Sequence, residues 1–149
     1  GKIVCTSGGF DPIHPGHISC IQQSKKLGNT LIVVVNGDSF LTRKKGKPFM
    51  PASVRAKIVD SIRHVSYTVP YEAEEDGVCG ALEILRPHIY TKGGPYRAED
   101  IREYETCMRL GIYIFTDVGD AKTQGSSDYL RDWIYNTFER QDSVDICNC

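Results

Sequence analysis

The stretch Ser7-Gly-Gly-Phe-Asp-Pro-Ile-His-Pro-Gly-His17 is the most informative segment of this chain. It follows a short apolar run that ends at Thr6 and leads into a helical pattern that extends to Leu27. This order predicts a strand, a glycine-containing turn and a helix start, with two histidines at the turn. Free backbone N–H groups and the positive end of the helix dipole make such a start a site for anions. The segment therefore predicts a place where a nucleoside triphosphate is held and cut.

Apolar β-branched runs alternate with helical patterns along the whole chain. The second run, from Thr30 to Asn36, is a continuous Leu, Ile and Val segment, as in a parallel strand covered on both faces. The alternation predicts an α/β fold: a Rossmann-like, doubly wound, five-stranded parallel sheet with helices on both faces. The predicted strands are residues 2–7, 30–36, 65–70, 88–91 and 112–116, and the predicted helices are residues 16–27, 51–63, 78–85, 97–109 and 126–139.

The composition is that of a single globular domain. With 149 residues, of which 40% are hydrophobic and 25% charged, the chain can bury a core without disulfide bonds or a structural metal. We expect one domain over residues 1–139 and a C-terminal tail over residues 140–149. The net charge of −1 argues against a nucleic-acid partner, and no apolar run approaches the roughly 20 residues of a membrane span.

The six cysteines lack the spacing of a zinc site or of a secreted disulfide framework. This pattern favours reduced thiols and a cytoplasmic location. The pair Cys147 and Cys149 leaves metal binding or oxidation open, although a frayed tail is the simpler interpretation.

Polar segments follow the predicted strands, which is where open parallel sheets bind ligands. They are Gly8 to His17, Asn36 to Asp38 with the basic cluster Arg43-Lys44-Lys45-Gly46-Lys47, Lys92 to Gly94, and Asp117 to Ser127. We expect the basic cluster to lie in a loop, and the alternative for it is a solvated surface. The arrangement predicts a single cleft built from four loops.

His14 and His17 are three residues apart, with Gly16 between them. At a helix start this spacing places both imidazoles on one face, and the glycine removes bulk where a phosphate must approach. As donors, the rings can stabilise charge on the oxygens between the α- and β-phosphates. A metal pair is a poorer interpretation, because catalytic zinc usually needs three protein ligands. Two surface histidines at a helix cap are the alternative without function.

These residues resemble the nucleotidyltransferase superfamily that carries a His-x-Gly-His signature, in particular its cytidylyltransferase-like branch. Phe10-Asp11 followed by His14-Pro-Gly-His17 matches the signature in spacing, and the resemblance spans residues 2–135. Lys92-Gly93-Gly94 with Tyr96 is more similar to the adenylyltransferase domain of the ADP-heptose synthases than to the glycerol-3-phosphate cytidylyltransferases. The resemblance therefore favours ATP, with CTP as the alternative.

The resemblance implies that an acceptor phosphate attacks the α-phosphorus of ATP or CTP and that pyrophosphate leaves, with Mg²⁺ as cofactor. It implies a small phosphorylated sugar or polyol as acceptor, and a homodimer. The implied catalytic residues are His14, His17, Lys44 and Lys45. The implied nucleotide-binding residues are Gly8, Gly9, Phe10, Asp11, Gly16, Lys92, Gly93, Gly94, Lys122, Gly125, Ser126 and Ser127. The residues implied to contact the acceptor are Asp38, Arg55 and Tyr96, with Arg55 also a candidate for the leaving pyrophosphate. For Phe10 and Asp11 a structural contribution is favoured over nucleotide contact.

The segment Lys122-Thr-Gln-Gly-Ser-Ser-Asp-Tyr129 departs from the family pattern Arg-Thr-x-Gly-x-Ser-Thr-Thr. Ser126 or Ser127 can cap the last helix, but the carboxylate of Asp128 would be repelled by a triphosphate unless it faces away or helps to bind Mg²⁺. This departure motivates an alternative function, a non-catalytic nucleotide-binding or regulatory module. A dinucleotide-dependent oxidoreductase fits poorly, since the first turn lacks Gly-x-Gly-x-x-Gly.

Overall fold

The computed structural model describes residues 1–121 and 124–139. It contains one five-stranded parallel sheet in the order β3-β2-β1-β4-β5. The strands are β1 (Ile3–Gly8), β2 (Thr30–Asn36), β3 (Tyr67–Tyr71), β4 (Ile89–Thr91) and β5 (Tyr113–Phe115). The predicted fold class is confirmed. Lys122 and the predicted tail over residues 140–149 lie outside the described residues.

The helices are α1 (Pro15–Lys25), α2 (Asp38–Lys45), α3 (Ala52–Asp60), α4 (Cys79–Leu85), α5 (Tyr104–Leu110) and α6 (Ser126–Ile134). A 3₁₀ turn (Ala98–Asp100) precedes α5, and a π-helical turn (Tyr135–Glu139) follows α6. The predicted helix 97–109 is wrong in its first part. Ile101 adopts an extended conformation after the 3₁₀ turn and places its side chain in the core, which separates that turn from α5.

The prediction that the basic cluster lies in a loop is also wrong. Arg43, Lys44 and Lys45 form the last turn of α2, and Gly46 ends the helix at a φ of 91°. Helix α2 buries only Leu41, so the sequence carries no apolar stripe that would reveal it. Cations in the last turn are favourable, because they face the negative end of the helix dipole.

The sheet separates two apolar clusters. Alternate residues of β2 point to opposite faces, so that Val33 and Val35 join one cluster and Val34 joins the other. The first cluster includes Ile21 of α1 and Val59 of α3. The second includes Leu82, Cys107 and other residues of the α4 and α5 side. Helices therefore cover both faces, which explains the continuous apolar sequence of β2.

Cys5 and Cys107 lie in the second cluster as small apolar residues. Burial raises the pKa of the Cys5 thiol to about 12, and burial also raises the pKa of the Cys107 thiol to about 12. Both thiols therefore stay protonated at neutral pH. Over residues 1–121 and 124–139, every helix is too short or too polar to cross a membrane.

The strand order positions the site. Strand β1 lies between β2 and β4, and the strand order reverses there: β2 and β3 lie on one side of β1, and β4 and β5 lie on the other. In open parallel sheets such a switch point opens a crevice at the carboxyl ends of the strands. The loop after β1 carries the quoted segment with both histidines.

Candidate active site

The start of α1 is capped by its own histidines. His14 is the N-cap residue, and its Nδ1 accepts a hydrogen bond from Gly16 N at 3.1 Å. In return, His17 Nδ1 accepts from His14 N at 3.2 Å. Two imidazoles thus take the places that Ser or Thr and Glu or Gln occupy in an ordinary capping box. The rings are fixed by backbone geometry before any ligand arrives.

This capping also sets the tautomer of both rings. A neutral imidazole whose Nδ1 accepts a hydrogen bond carries its proton on Nε2. The two rings stack with centroids 3.8 Å apart, and the ring of Tyr129 lies 5.8 Å from that of His14. The edge of Phe10 packs against His17 at 5.0 Å. Each imidazole therefore carries its proton on Nε2, and the cap and the ring contacts fix its orientation.

Gly16 provides room for the ring of His14. A Cβ atom at this position would lie 2.9 Å from His14 Cε1 and 3.0 Å from Nδ1, closer than van der Waals contact permits. The sequence suggested that the missing side chain leaves space for a phosphate. In the structure the missing side chain lets the imidazole fold back onto the helix start.

Both histidines line a cavity of about 250 Å³, which we call the smaller cavity. Its walls come from the loop after β1, the end of α2 and the start of α6. The lining residues are Gly9, Phe10, Asp11, His14, His17, Leu41, Lys44, Lys45, Gly125, Ser126, Ser127 and Asp128. Most of the residues expected to hold a triphosphate are therefore brought together at one place.

The start of α6 differs from its predicted form. Gly125 is the N-cap residue, so the expected capping by Ser126 or Ser127 is wrong. Instead, the Ser126 hydroxyl donates to the carbonyl of Pro12 at 2.8 Å and ties α6 to the histidine turn. The Asp128 carboxylate accepts from Gly125 N at 2.9 Å. The carboxylate that departs from the family pattern thus caps α6.

Asp11 is buried and holds the turn before α1 in place. Its two carboxylate oxygens accept from the backbone N–H groups of Phe49, at 2.7 Å, and Met50, at 2.8 Å. Lys45 donates to the Asp11 carbonyl at 2.6 Å, and its Nζ is 3.7 Å from the carboxylate. These contacts support the structural contribution favoured for Asp11. They also hold Lys45 against the turn before α1, at the wall of the cavity that Lys44 lines as well.

The glycines before Asp11 make room for apolar side chains. A Cβ atom on Gly8 would lie 3.0 Å from the ring of Phe10, and one on Gly9 would lie 2.9 Å from Leu41. Phe10 itself has a φ of 52° and is buried in the first apolar cluster. Packing therefore accounts for Gly8, Gly9 and Phe10, the last two of which also line the smaller cavity.

The sequence predicts that Arg55 contacts the acceptor phosphate or the leaving pyrophosphate. The contacts of Arg55 in the structure do not support this role. Its side chain is fully buried, and Nη1 donates to the carbonyls of Gly9 at 2.9 Å and Asn36 at 2.5 Å. Its Nε donates to Met50 O at 2.8 Å, and Nη2 to the Asp38 carboxylate at 2.8 Å. Burial and these partners turn the guanidinium toward the protein. Asp38 is likewise engaged, since Oδ1 also accepts from Ala52 N.

A second, larger cavity of about 430 Å³ adjoins the first, and Lys44 lines both. The larger cavity contains Lys92 and Tyr96 of the predicted set, with Lys92 Nζ 5.8 Å from the centroid of the Tyr96 ring. Gly94, at a φ of 88°, permits this ring to fold close to the backbone. The other lining residues are Phe40, Arg43, Asp76, Asp100, Ile101 and Arg102.

Sequence reasoning missed Asp76 and Arg102 as site residues. Asp76 ends the acidic run Glu72-Ala-Glu-Glu-Asp76, which directly follows β3. The rule that ligands lie at the carboxyl ends of parallel strands applies to β3 as it does to the other strands. Application of that rule to the third strand would have found Asp76.

Among the described residues, no three His, Cys, Asp or Glu side chains are grouped so that they could hold a metal ion. Mg²⁺ in nucleotide sites is usually held by one or two carboxylates together with the substrate phosphates. Both carboxylates that line the smaller cavity, Asp11 and Asp128, accept backbone N–H groups. Each of these two carboxylates therefore already has a backbone partner.

The family model described as cytidylyltransferase-like matches residues 5–108. Among curated proteins, Bifunctional protein HldE of Hahella chejuensis is 39% identical over 112 residues, which cover 74% of this chain and 23% of that protein. Bifunctional protein HldE of Nitratiruptor sp. is 39% identical over 118 residues, covering 78% of this chain and 25% of that protein. The chain thus spans about a quarter of the length of these relatives.

Solved structures share the fold. A lipopolysaccharide core biosynthesis protein from Thermoplasma volcanium superposes with a TM-score of 0.69 at 23% identity, over 81% of this chain and 98% of that one. A bifunctional NMN adenylyltransferase/ADP ribose pyrophosphatase from Francisella tularensis, complexed with AMP and a manganese ion, has a TM-score of 0.60 at 11% identity, over 92% of this chain and 42% of that one. At these identities the likeness establishes the architecture.

Arg55→Met should destabilise the fold. The variant leaves buried carbonyls without their donor, and each costs about 1–3 kcal/mol, so we expect a loss of about 3 kcal/mol or more. The unfolding temperature should fall by roughly 6–12 °C in a thermal melt. Arg109→Met is the matched control, because Arg109 forms an exposed pair with Glu83 and should change stability by about 0.5 kcal/mol at most. An Arg55→Met protein with wild-type stability and weakened phosphate binding would instead support the role expected from the sequence.

Gly16→Ala should weaken nucleotide binding without unfolding the protein. The new methyl group displaces the His14 ring, while alanine favours the helix by about 1 kcal/mol over glycine. We expect calorimetry with ATP and with CTP to show affinity reduced by about tenfold, since a misplaced donor loses its contact. Gln22→Ala, an exposed change on the same helix, should bind as the wild type does. Equal affinity of both variants would contradict the placement of His14 in the binding site.

Proposed function

Because this chain belongs to the cytidylyltransferase-like family, we propose that it is a nucleotidyltransferase that joins a nucleoside monophosphate to a small phosphorylated acceptor. The smaller cavity holds the triphosphate, and the acceptor phosphate enters from the larger cavity. The oxygen of the acceptor phosphate attacks the α-phosphorus, and the bond from that phosphorus to the oxygen of the β-phosphate breaks. Pyrophosphate leaves with the electron pair of that bond, and no covalent enzyme intermediate forms.

One observation carries this proposal: His14 and His17 are stacked at the start of α1 with both Nδ1 atoms bound to backbone N–H groups. The ring protons then lie on Nε2, and both rings line the smaller cavity. Negative charge accumulates on phosphate oxygens as the leaving pyrophosphate departs. Donors that are already oriented stabilise this charge without reorganisation, which is the largest contribution in many enzymes.

The backbone of α1 adds to the effect of the rings. The helix dipole at its N-terminus favours an anion by at most about 2 kcal/mol. Loss of one preorganised donor costs on the order of 2.7–4 kcal/mol in comparable sites. The side chains should therefore dominate over the dipole.

Lys44 is the cation that connects the two substrates. It lines both cavities, and a lysine acts as a mobile point charge on a flexible stem. Two phosphates that must approach each other repel, and a shared cation between them reduces that repulsion. This placement supports Lys44 as the residue that admits the acceptor phosphate beside the α-phosphate.

We propose ATP as the donor and a sugar phosphate as the acceptor. The similarity of the Lys92 to Tyr96 segment to the ADP-heptose synthase branch supports this choice, as do the relatives named HldE. CTP with a polyol phosphate is the alternative. Mg²⁺ is proposed to arrive as the counter-ion of the triphosphate. The homodimer and the cytoplasmic location stay predictions.

His14→Asn and His17→Gln should each abolish most of the activity while leaving the helix cap in place. Asparagine is a good N-cap residue and glutamine suits the third helical position, so unfolding temperatures should stay near that of the wild type. We expect pyrophosphate release with ATP or CTP and a panel of sugar phosphates to fall by at least about 100-fold, because the Nε2–H donors are lost.

Two outcomes would decide against this proposal. Normal turnover by either variant would remove the catalytic assignment of that histidine. Binding of ATP or CTP by calorimetry, with no pyrophosphate release for any acceptor, would favour the non-catalytic module. The capping contact of Asp128 weakens the motive for that alternative, since the carboxylate has a structural partner.

A further inference from the structure

The larger cavity contains an ionic bridge that the transfer step does not need. Asp76 lies between two arginines, with Oδ1 3.3 Å from Arg43 Nε and Oδ2 3.4 Å from Arg102 Nη1. All three side chains line the cavity. Arg43 belongs to α2, Asp76 to the loop after β3, and Arg102 to the segment before α5. The bridge thus joins three parts of the chain around one side of the cavity.

Arg43 also fixes the position of its own helix turn. Its Nη2 donates to the carbonyls of Ala73 at 3.2 Å and Glu75 at 3.0 Å. A guanidinium can do this while binding Asp76, because its N–H groups lie in one rigid plane. The end of α2, which carries Lys44, is therefore held against the loop after β3.

Stability does not account for this bridge. The three side chains are 37%, 52% and 69% exposed for Arg43, Asp76 and Arg102, and exposed ion pairs contribute little to folding. The pair of Arg109 with Glu83 is a comparable surface contact between α4 and α5, outside both cavities. Unlike the pair of Arg109 with Glu83, the Asp76 bridge lines a cavity, and this cavity adjoins the smaller cavity that contains His14 and His17.

The larger cavity contains carboxylates and aromatic rings that suit the hydroxylated body of a sugar. Its lining has the carboxylates of Asp76 and Asp100 beside four cationic side chains, those of Arg43, Lys44, Lys92 and Arg102. Carboxylates accept hydrogen bonds from hydroxyl groups but repel a second phosphate. The rings of Phe40 and Tyr96 provide apolar surface against which the C–H face of a sugar can pack. A purely cationic lining, by contrast, would favour a bisphosphate.

We propose that Asp76 is a specificity-determining residue that binds the hydroxyl groups of a sugar monophosphate, while Arg43 and Arg102 hold its carboxylate in position. This inference rests on the proposed function, in which Lys44 receives the phosphate of the same acceptor where the two cavities meet.

Asp76→Asn tests this assignment, because it removes the charge and keeps the shape. With glucose 1-phosphate, mannose 1-phosphate and glycerol 3-phosphate as acceptors, we expect the sugar 1-phosphates to be preferred by the wild type. The variant should raise the KM of the best sugar 1-phosphate about tenfold, as for a lost hydrogen bond to a charged group. The KM for ATP and kcat should change by no more than about twofold.

The selectivity for an acceptor with one phosphate over an acceptor with two phosphates is a second measure of the role of Asp76. The ratio of kcat/KM for glucose 1-phosphate over glucose 1,6-bisphosphate should fall about tenfold in Asp76→Asn, because a repulsive charge is gone. A merely structural effect would lower kcat/KM for both acceptors together and leave their ratio unchanged. Arg43→Lys keeps a charge but loses the planar grip on Asp76, and it should raise the KM for the sugar 1-phosphate in the same direction.

Glu83→Gln is the matched control. Glu83 is half-exposed and paired with an arginine, as Asp76 is, but it lies outside both cavities. Its kinetic constants should equal those of the wild type. An acceptor KM and a selectivity ratio unchanged in Asp76→Asn, or an equal change in Glu83→Gln, would overturn the inference.

Calorimetry with glucose 1-phosphate and mannose 1-phosphate, in the absence of nucleotide, separates this inference from the proposed function. Binding that weakens in Asp76→Asn, together with no pyrophosphate release by the wild type, would support the inference and remove the function. Release with identical kinetics in both proteins would keep the function and overturn the inference. Absence of both binding and release in the wild type would overturn both.

Discussion

The buried guanidinium of Arg55 is the interaction on which the site depends. It binds the carbonyls of Gly9, Asn36 and Met50 and the carboxylate of Asp38. These atoms belong to the loop after β1, the end of β2, the segment before α3 and the start of α2. Helical and strand backbone cannot satisfy carbonyls at such a junction, so a side chain with several donors must do it. One residue therefore fixes the loop after β1 and helix α2, two of the three walls of the smaller cavity, relative to each other.

Polar side chains at this edge of the sheet form two groups, one that holds the loops and one that lines the cavities. Arg55 and Asp11 are buried and spend their hydrogen bonds on backbone atoms, so they hold the loops. His14, His17 and Lys44 line the cavities, so they are placed to meet a ligand. A site held to within fractions of an ångström needs such a supporting layer. The fold thus prepares the orientation of its donors before substrate binds.

The sequence predicted the architecture and the location of the site, because both follow from patterns along the chain. The alternation of apolar runs marked the strands, and the position of polar segments after strands marked the crevice. It did not reveal α2, which buries one residue, or the break at Ile101. It placed Arg55 at a phosphate, where the structure shows a buried side chain bound to backbone carbonyls, and it gave the capping of α6 to Ser126 or Ser127. These differences share a cause, since burial and hydrogen-bond partners depend on contacts between segments far apart in sequence, such as Gly9 with Arg55.

The reciprocal cap at α1 has a consequence for how this sequence can change over generations. Position 14 needs an acceptor for the N–H of residue 16, and position 17 needs an acceptor for the N–H of residue 14. Position 16 has no room for a side chain while an imidazole occupies that space. The three positions therefore constitute one mutational unit, in which the effect of a change at one position depends on the residues at the other two.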